Sequence, residues 1–284
     1  MKICFFDDNR LGIVIGDKVH DVTSVLEQLP ACHPPFPRHD IIIEALPRLM
    51  PALQAVADKT PGKLIGSVQL RAPVMNPGKV VAAPINYLAH MEEAQADPLT
   101  FSRAQVTRIQ ETGMFLKATS SIVGVSEGIR LRLPERRNDH EVELVAVIGK
   151  AGTQITPERA LDHVAGYTIG LDITVRGKEE RSFRKSVDSY TVLGPWLVTA
   201  DEFGDPSDIA LSLAVNGAPR QSARTSAMVL SVRELIVFAS RFYTLHPGDI
   251  LMTGTPEGVG PIVPGDVITA AIDHIGTLDV RVRG

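Results

Sequence analysis

Apolar and polar positions alternate with a period of two over much of the chain, and helical spacing is confined to a few stretches, so strands should outnumber helices. The first strands are predicted over 3–6 and 11–15. They are joined by the turn-rich Asp7-Asp8-Asn9-Arg10 and followed by a turn at Gly16-Asp17, which makes a small β-meander. The prolines within 33–37 mark a loop, and the helical spacing of 40–58 should be broken at Pro47 and Pro51. A stretch punctuated by proline and glycine over 61–78 sets this unit apart, and the boundary falls near Ala72.

Beyond it, strands are predicted over 80–83, 114–118, 129–133, 141–148, 167–174, 196–199 and 209–215, and again over 267–283 around a turn at 273–276. Asn86 is a favourable N-cap for a helix reaching about Gln95, and 97–112 is polar and weakly helical. Thr156-Pro157 should start a helix with proline at its first position, and Ser231-Val232-Arg233-Glu234 is a capping box opening another to about Phe242. Asn216-Gly217 is the strongest hairpin signal in the chain. Many strands, few helices and no regular βα alternation predict an α+β, mainly β protein with antiparallel or mixed sheets, not a Rossmann or barrel fold. The division is a small N-terminal domain, 1–72, and a catalytic domain, 73–284.

Composition narrows the class without naming a chemistry. The 284 residues are 44% apolar and 22% charged, as in an ordinary globular protein. The 29 Lys and Arg against 33 Asp and Glu leave a net charge of −4, without the basic excess that grips a phosphate backbone, so no nucleic-acid partner is expected. The two cysteines, Cys4 and Cys32, cannot build a disulfide framework and fit a reducing compartment. Acids at Asp7 and Asp8 interrupt what a signal peptide would need, and no apolar run approaches the roughly 18 residues of a membrane span, so a cytoplasmic protein without a membrane partner is expected.

Gly124-Val125-Ser126-Glu127-Gly128 has the spacing of a nucleophile elbow. An alternating strand follows it instead of a helix, so serine-hydrolase chemistry is set aside. The glycines over 254–260 have neither Walker nor dinucleotide spacing. The sharper pattern is Asp139-His140-Glu141-Val142-Glu143-Leu144. In a strand Glu141 and Glu143 share a face about 7 Å apart, with Val145 and Val147 behind them and Val142, Leu144, Ala146 and Ile148 on the other face. Carboxylates at the end of a strand that is apolar on both sides are costly unless they share a cation, and oxygen ligands suit Mg²⁺, Mn²⁺ or Ca²⁺. Two surface glutamates at a strand edge fit the same spacing. Asp172, an acid between Leu171 and Ile173 in a strand, could complete a three-carboxylate set. His90 and Glu93 lie three apart on one helix face, where the carboxylate could orient the imidazole as a general base, or both could simply be solvated. Lys117 and Lys185 are either solvated charges or counter-charges for an anionic substrate.

Taken together, these segments resemble the fumarylacetoacetate hydrolase family from about Lys79 to the C-terminus. The resemblance is carried by Asn86-Tyr87-Leu88-Ala89-His90-Met91-Glu92-Glu93, Phe115-Leu116-Lys117-Ala118-Thr119-Ser120-Ser121, Asp139-His140-Glu141-Val142-Glu143-Leu144, Gly166-Tyr167-Thr168-Ile169-Gly170-Leu171-Asp172-Ile173-Thr174, Lys185-Ser186 with Gly194-Pro195-Trp196, and Pro247-Gly248-Asp249-Ile250 with Thr253-Gly254-Thr255-Pro256-Glu257-Gly258. It implies a mixed β-roll catalytic domain behind a small N-terminal domain, assembled as a homodimer. It also implies Glu141, Glu143 and Asp172 as ligands of Mg²⁺ or Mn²⁺, His90 and Glu93 as a water-activating dyad on a lid helix, and Lys185 as the group that stabilises charge at the reacting oxygen. Tyr87, Lys117, Arg176 and Thr255 fall at substrate contacts, and the substrate is a small 2-oxo acid.

The activity implied is metal-dependent hydrolysis of a C–C bond in an acylpyruvate-type 1,3-diketo acid, such as maleylpyruvate or fumarylpyruvate from aromatic ring cleavage, with release of pyruvate. A second reading keeps the metal and enolate chemistry for a decarboxylase, isomerase or lyase acting on oxaloacetate, a hydroxymuconate or ureidoglycolate. A third is a non-catalytic 2-oxo acid binding protein. After Arg176 the chain departs from the family, with Gly177, Lys178 and Glu179 where Asp, a variable residue and Gln are usual. A glutamate there suits substrate carboxylate recognition only where Glu179 pairs with Arg181 or Arg184. Gly113 stands where proline is frequent.

Overall fold

A computed structural model describes residues 1–96 and 108–284. Most of the weakly helical segment predicted over 97–112 lies outside the described residues, and its end forms the short helix Ile109–Thr112. Eleven strands make one large mixed sheet. The N-terminal meander (Lys2–Phe6, Arg10–Ile15, Lys18–Asp21) runs into it through Thr191–Thr199, followed by Val164–Asp172, Val142–Ile148, Ile250–Met252, Val80–Ala82 and Phe115–Lys117. A five-stranded sheet built on Ala210–Val215, Val267–Ile272 and Gly276–Arg283 packs against it, and Asn138–His140 joins a separate three-stranded sheet. The mainly β, mixed-sheet expectation is met.

The strand Val142–Ile148 shows how the alternation organises the interior, since all seven of its residues are buried. Val145 and Val147 face a core shared with Ile3, Leu46, Leu49 and Leu53. Val142, Leu144, Ala146 and Ile148 face the larger core, with Leu211, Leu213, Ile268 and Val280 of the five-stranded sheet. The period-two pattern thus sorts one strand's side chains into two cores.

Three helix expectations need correction. Residues Ile41–Ala57 form one continuous helix despite Pro47 and Pro51. Both prolines lie on its exposed side, where water can serve the carbonyls they leave without a donor, while Ile43, Leu46, Leu49 and Leu53 are buried. Asp40 caps the start, accepting from the amides of Ile42 and Ile43 at 2.9 and 3.0 Å. Second, Thr156-Pro157 opens only a turn and the 3₁₀ segment Ala160–His163, because the strand Val164–Asp172 begins too soon for a helix to develop. Third, the helix expected from Asn86 starts at Leu88, and Asn86 does not cap it.

Asn86 is instead a buried clamp. Its side-chain amide donates to the carbonyls of Leu230 and Thr253 at 2.8 and 2.9 Å, and its oxygen accepts from the amide of Leu230 at 2.8 Å. Gly254 (φ +92) approaches so closely that a Cβ there would sit 2.8 Å from the Asn86 Cβ. Asn86→Ala leaves one buried and two part-buried backbone groups without this partner and is expected to cost about 3 kcal/mol, read as a lowered urea midpoint at unchanged m-value. The capping box of Ser231 and Glu234 opens the helix Val232–Ser240, somewhat shorter than predicted. Asn216 and Gly217, at φ 52 and 77, turn the hairpin between Ala210–Val215 and Ala218–Arg224.

Candidate metal centre

The strand predicted over 141–148 is interrupted at its first residue. Asn138–His140 leaves for the three-stranded sheet, Val142–Ile148 stays in the large one, and Glu141 sits at the junction. Antiparallel pairing matches Val142 to Leu171 and Glu143 to Gly170, which brings Asp172 opposite Glu141, and the Asp172 amide donates to the Glu141 carbonyl at 2.9 Å. Register thus turns acids distant in sequence into neighbours. Glu141, Glu143 and Asp172, at 5%, 1% and 1% exposure, each offer a carboxylate oxygen, and these lie within 4.8 Å of one another.

Both sequence-predicted lysines reach this set. Lys185 Nζ donates to Glu141 Oε2 at 2.9 Å, Asp172 Oδ2 at 2.6 Å and the Thr174 hydroxyl at 2.7 Å, and that hydroxyl donates to Glu141 Oε1 at 2.9 Å. Lys117 Nζ pairs with Asp172 Oδ1 and donates to the Tyr190 carbonyl at 2.8 Å. Arg176 is held mainly by Asp139, at 2.7 Å from Nε, and lies 3.5 Å from Glu141. Burial alone would raise the Glu141 pKa, but the charges of Lys185 and Arg176 bring it down to about 2. Glu143 goes the other way: burial, then the charges of Asp172 and Glu141, hold it well above the usual carboxylate range. Its oxygen Oε2 accepts from the Gly254 amide at 2.7 Å.

His90 and Glu93 lie on the helix Leu88–Ala96, with His90 Nδ1 3.1 Å from Glu93 Oε2. The Gly258 amide donates to the other Glu93 oxygen at 3.0 Å. Burial works against ionisation of Glu93, but these bonds prevail and its pKa is lowered. One loop joins the dyad to the acids, since the Gly254 amide donates to Glu143 and the Gly258 amide to Glu93. Tyr87 is buried and its hydroxyl has no hydrogen-bond partner among the described residues, while burial and the charges of Glu143 and Glu257 push its pKa up. Thr255 does not touch the carboxylates; its hydroxyl accepts from Gln221 Nε2 at 2.8 Å. Glu179 pairs with neither Arg181 nor Arg184 through its carboxylate, which holds Arg136 at 2.9 and 2.8 Å.

A hard divalent cation fits this donor set. Two lysine side chains face three buried carboxylates, the ligand atoms are all oxygen, and a cation would offset the burial and like charges that oppose ionisation of Glu143. Sequence reasoning missed Asp139, Thr174 and Gln221 as supports. Asp139 extends the i, i+2 acidic face of Glu141 and Glu143, a signal that was readable. Gln221 joins the Val142 amide, at 3.0 Å, to the Pro256 carbonyl, at 2.9 Å, and no local pattern marks it.

A family model described as fumarylacetoacetate (FAA) hydrolase C-terminal matches residues 79–283. Maleylpyruvate hydrolase of Aquipseudomonas alcaligenes is 52% identical over 285 residues, covering 100% of this chain and 99% of that protein. The structure of maleylpyruvate hydrolase from Sphingobium sp. SYK-6 in complex with manganese(II) ion and pyruvate superposes with a TM-score of 0.84. It is 37% identical, covering 100% of this chain and 99% of that one. An oxaloacetate tautomerase of Xenopus laevis is 38% identical over 225 residues, covering 75% of this chain and 67% of that protein.

Proposed function

The chain belongs to the fumarylacetoacetate hydrolase family, and from that premise we propose that it hydrolyses a C–C bond of an acylpyruvate of the maleylpyruvate type in aromatic catabolism. The observation that carries the reading is the convergence of three buried carboxylates with an adjoining histidine–glutamate dyad. Full-length similarity to maleylpyruvate hydrolases supports it.

Glu141, Glu143 and Asp172 hold Mg²⁺ or Mn²⁺, which supplies Lewis acidity toward the 2-oxo acid end of the substrate. Glu93 accepts a hydrogen bond from His90 Nδ1–H, which leaves the lone pair on Nε2 to take a proton from water. The hydroxide adds to the distal ketone, the bond between that carbon and the methylene breaks, and its electron pair passes to the pyruvate half as an enolate. Protonation of the methylene then gives pyruvate and the free acid. Lys185 Nζ, between Glu141 and Asp172, places positive charge where oxyanion character develops. Lys117 and Arg176 add charge along the same wall, and Tyr87 and Thr255 line the substrate. The lid helix bearing His90 keeps bulk water from the enolate.

Purified protein with Mn²⁺ is expected to release stoichiometric pyruvate from maleylpyruvate, and lactate dehydrogenase coupling measures it. Absence of pyruvate across a panel of acylpyruvates would remove the reading. The similarity to an oxaloacetate tautomerase favours one alternative, proton transfer through the same enolate without water addition, for which enol–keto conversion of oxaloacetate is the assay. We further propose a cytoplasmic homodimer divided as 1–72 and 73–284. The start of the family match at residue 79 supports the division, and the two free cysteines support the compartment. No described helix is long and apolar enough to cross a membrane.

A further inference from the structure

The short helix Arg181–Lys185 carries cations at both ends, and their i, i+4 spacing puts them on one face. Lys185 reaches Glu141 and Asp172. Arg181 stops short of them: its guanidinium lies 5.6 Å from the centroid of the Phe115 ring, and Lys185 Nζ lies 5.4 Å from the same centroid. Both cations therefore lie against one aromatic ring, with Lys185 in contact with the carboxylate set and Arg181 one helical turn away from that contact. Among the described residues no salt bridge engages Arg181, although the charges of Glu141, Glu180 and Asp172 act on it at longer range. Glu180 caps its own helix, accepting from the Ser182 amide at 2.7 Å, and Glu179 grips Arg136. Arg184 adds charge behind it, buried at 3% exposure, with Nε on the Glu179 carbonyl at 2.9 Å and Nη1 without a hydrogen-bond partner among the described residues. Arg181, Lys178, Met114 and Phe115 line a cavity of about 560 Å³ together with Glu179 and Glu180, whose carboxylates are taken up by Arg136 and by the Ser182 amide.

We propose that Arg181 is the specificity-determining residue that receives a second, distal carboxylate of the substrate, so that the preferred class is 2-oxo acids with another carboxylate several bonds away. The inference rests on the reading that the 2-oxo end sits at Glu141, Glu143 and Asp172. Phe115 and Met114 give the intervening chain an apolar wall, and the planar fork of a guanidinium suits a carboxylate held by two parallel hydrogen bonds. Glu179, tied to Arg136, takes no part in this recognition.

The test is calorimetric titration of the Mn²⁺-loaded protein with 2-oxoadipate and with 2-oxohexanoate, which share a chain length and differ in the distal carboxylate. Wild type is expected to prefer 2-oxoadipate by about 30-fold, the range of a hydrogen bond to a charged group. Arg181→Met should shrink the preference to within about threefold and leave 2-oxohexanoate affinity within about twofold, while Arg181→Lys keeps an intermediate preference, as a point charge without the fork. No preference in wild type, or an undiminished one in Arg181→Met, overturns the proposal. Neither probe is a 1,3-diketo acid, so the outcome separates from the reaction assay. A protein that bound 2-oxoadipate selectively but released no pyruvate from maleylpyruvate would keep this role for Arg181 and lose the hydrolase reading, and the opposite pair of results would do the reverse.

Discussion

Glu143→Gln is expected to lower Mn²⁺-dependent hydrolysis by about 1000-fold or more, the scale of several kcal/mol of lost charge stabilisation, while leaving the metal-free protein at least as stable as wild type. These opposite directions follow from one environment. Glutamine keeps the shape of the side chain and an oxygen for the Gly254 amide, but removes a carboxyl whose charge is opposed by burial and by Asp172 and Glu141. In the metal-free fold the raised pKa lets Glu143 keep its proton at pH values where the unfolded chain has released it. The native state then binds more protons, and this group lowers stability as pH climbs from the ordinary glutamate range toward the folded value. Glu143→Gln should lack that part of the slope. Thermal melts in EDTA between about pH 5 and 8, beside Mn²⁺ titrations, read both effects. Wild-type Mn²⁺ affinity in the variant would remove Glu143 from the metal set.

His90→Ala should reduce pyruvate release from maleylpyruvate by about 1000-fold, within the range that a positioned general base contributes, with Mn²⁺ affinity little changed because His90 is outside the carboxylate set. The loss should appear in kcat more than in KM, since the imidazole acts on water and not on the 2-oxo acid end. Oxaloacetate enol–keto conversion is the control, because it needs no water addition. Full retention of hydrolysis would remove His90 as the base that activates water, and loss of both activities would give His90 a role in enolate protonation.

Much of this site was legible because its signals are local. Glu141 and Glu143 are two apart in a strand whose remaining residues are apolar, and Asp172 is an acid where strands disfavour one. His90 and Glu93 are one helical turn apart. Asn216-Gly217 and the Ser231–Glu234 box each specify a geometry with two or four residues. What escaped depends on register and on contacts between distant segments. Nothing near Asn86 says that its amide will be consumed by Leu230 and Thr253 instead of the adjacent helix, and nothing near Gln221 announces the Val142 amide. Pro47 and Pro51 misled for a related reason: the cost of a proline in a helix depends on whether the orphaned carbonyl faces water, and only packing decides that.

The outer edge of the strand Thr191–Thr199 is shared between two partners. Ile122–Val123 runs parallel along its first residues, and Lys2 and Ile3 pair antiparallel with Val198 and Leu197 near its end. The N-terminal meander thus seals a long apolar strand that would otherwise present unpaired amides and carbonyls as a template for another chain. By this geometry Lys2 and Ile3 cover the end of that strand, a cover that a fragment beginning at the family match would lack.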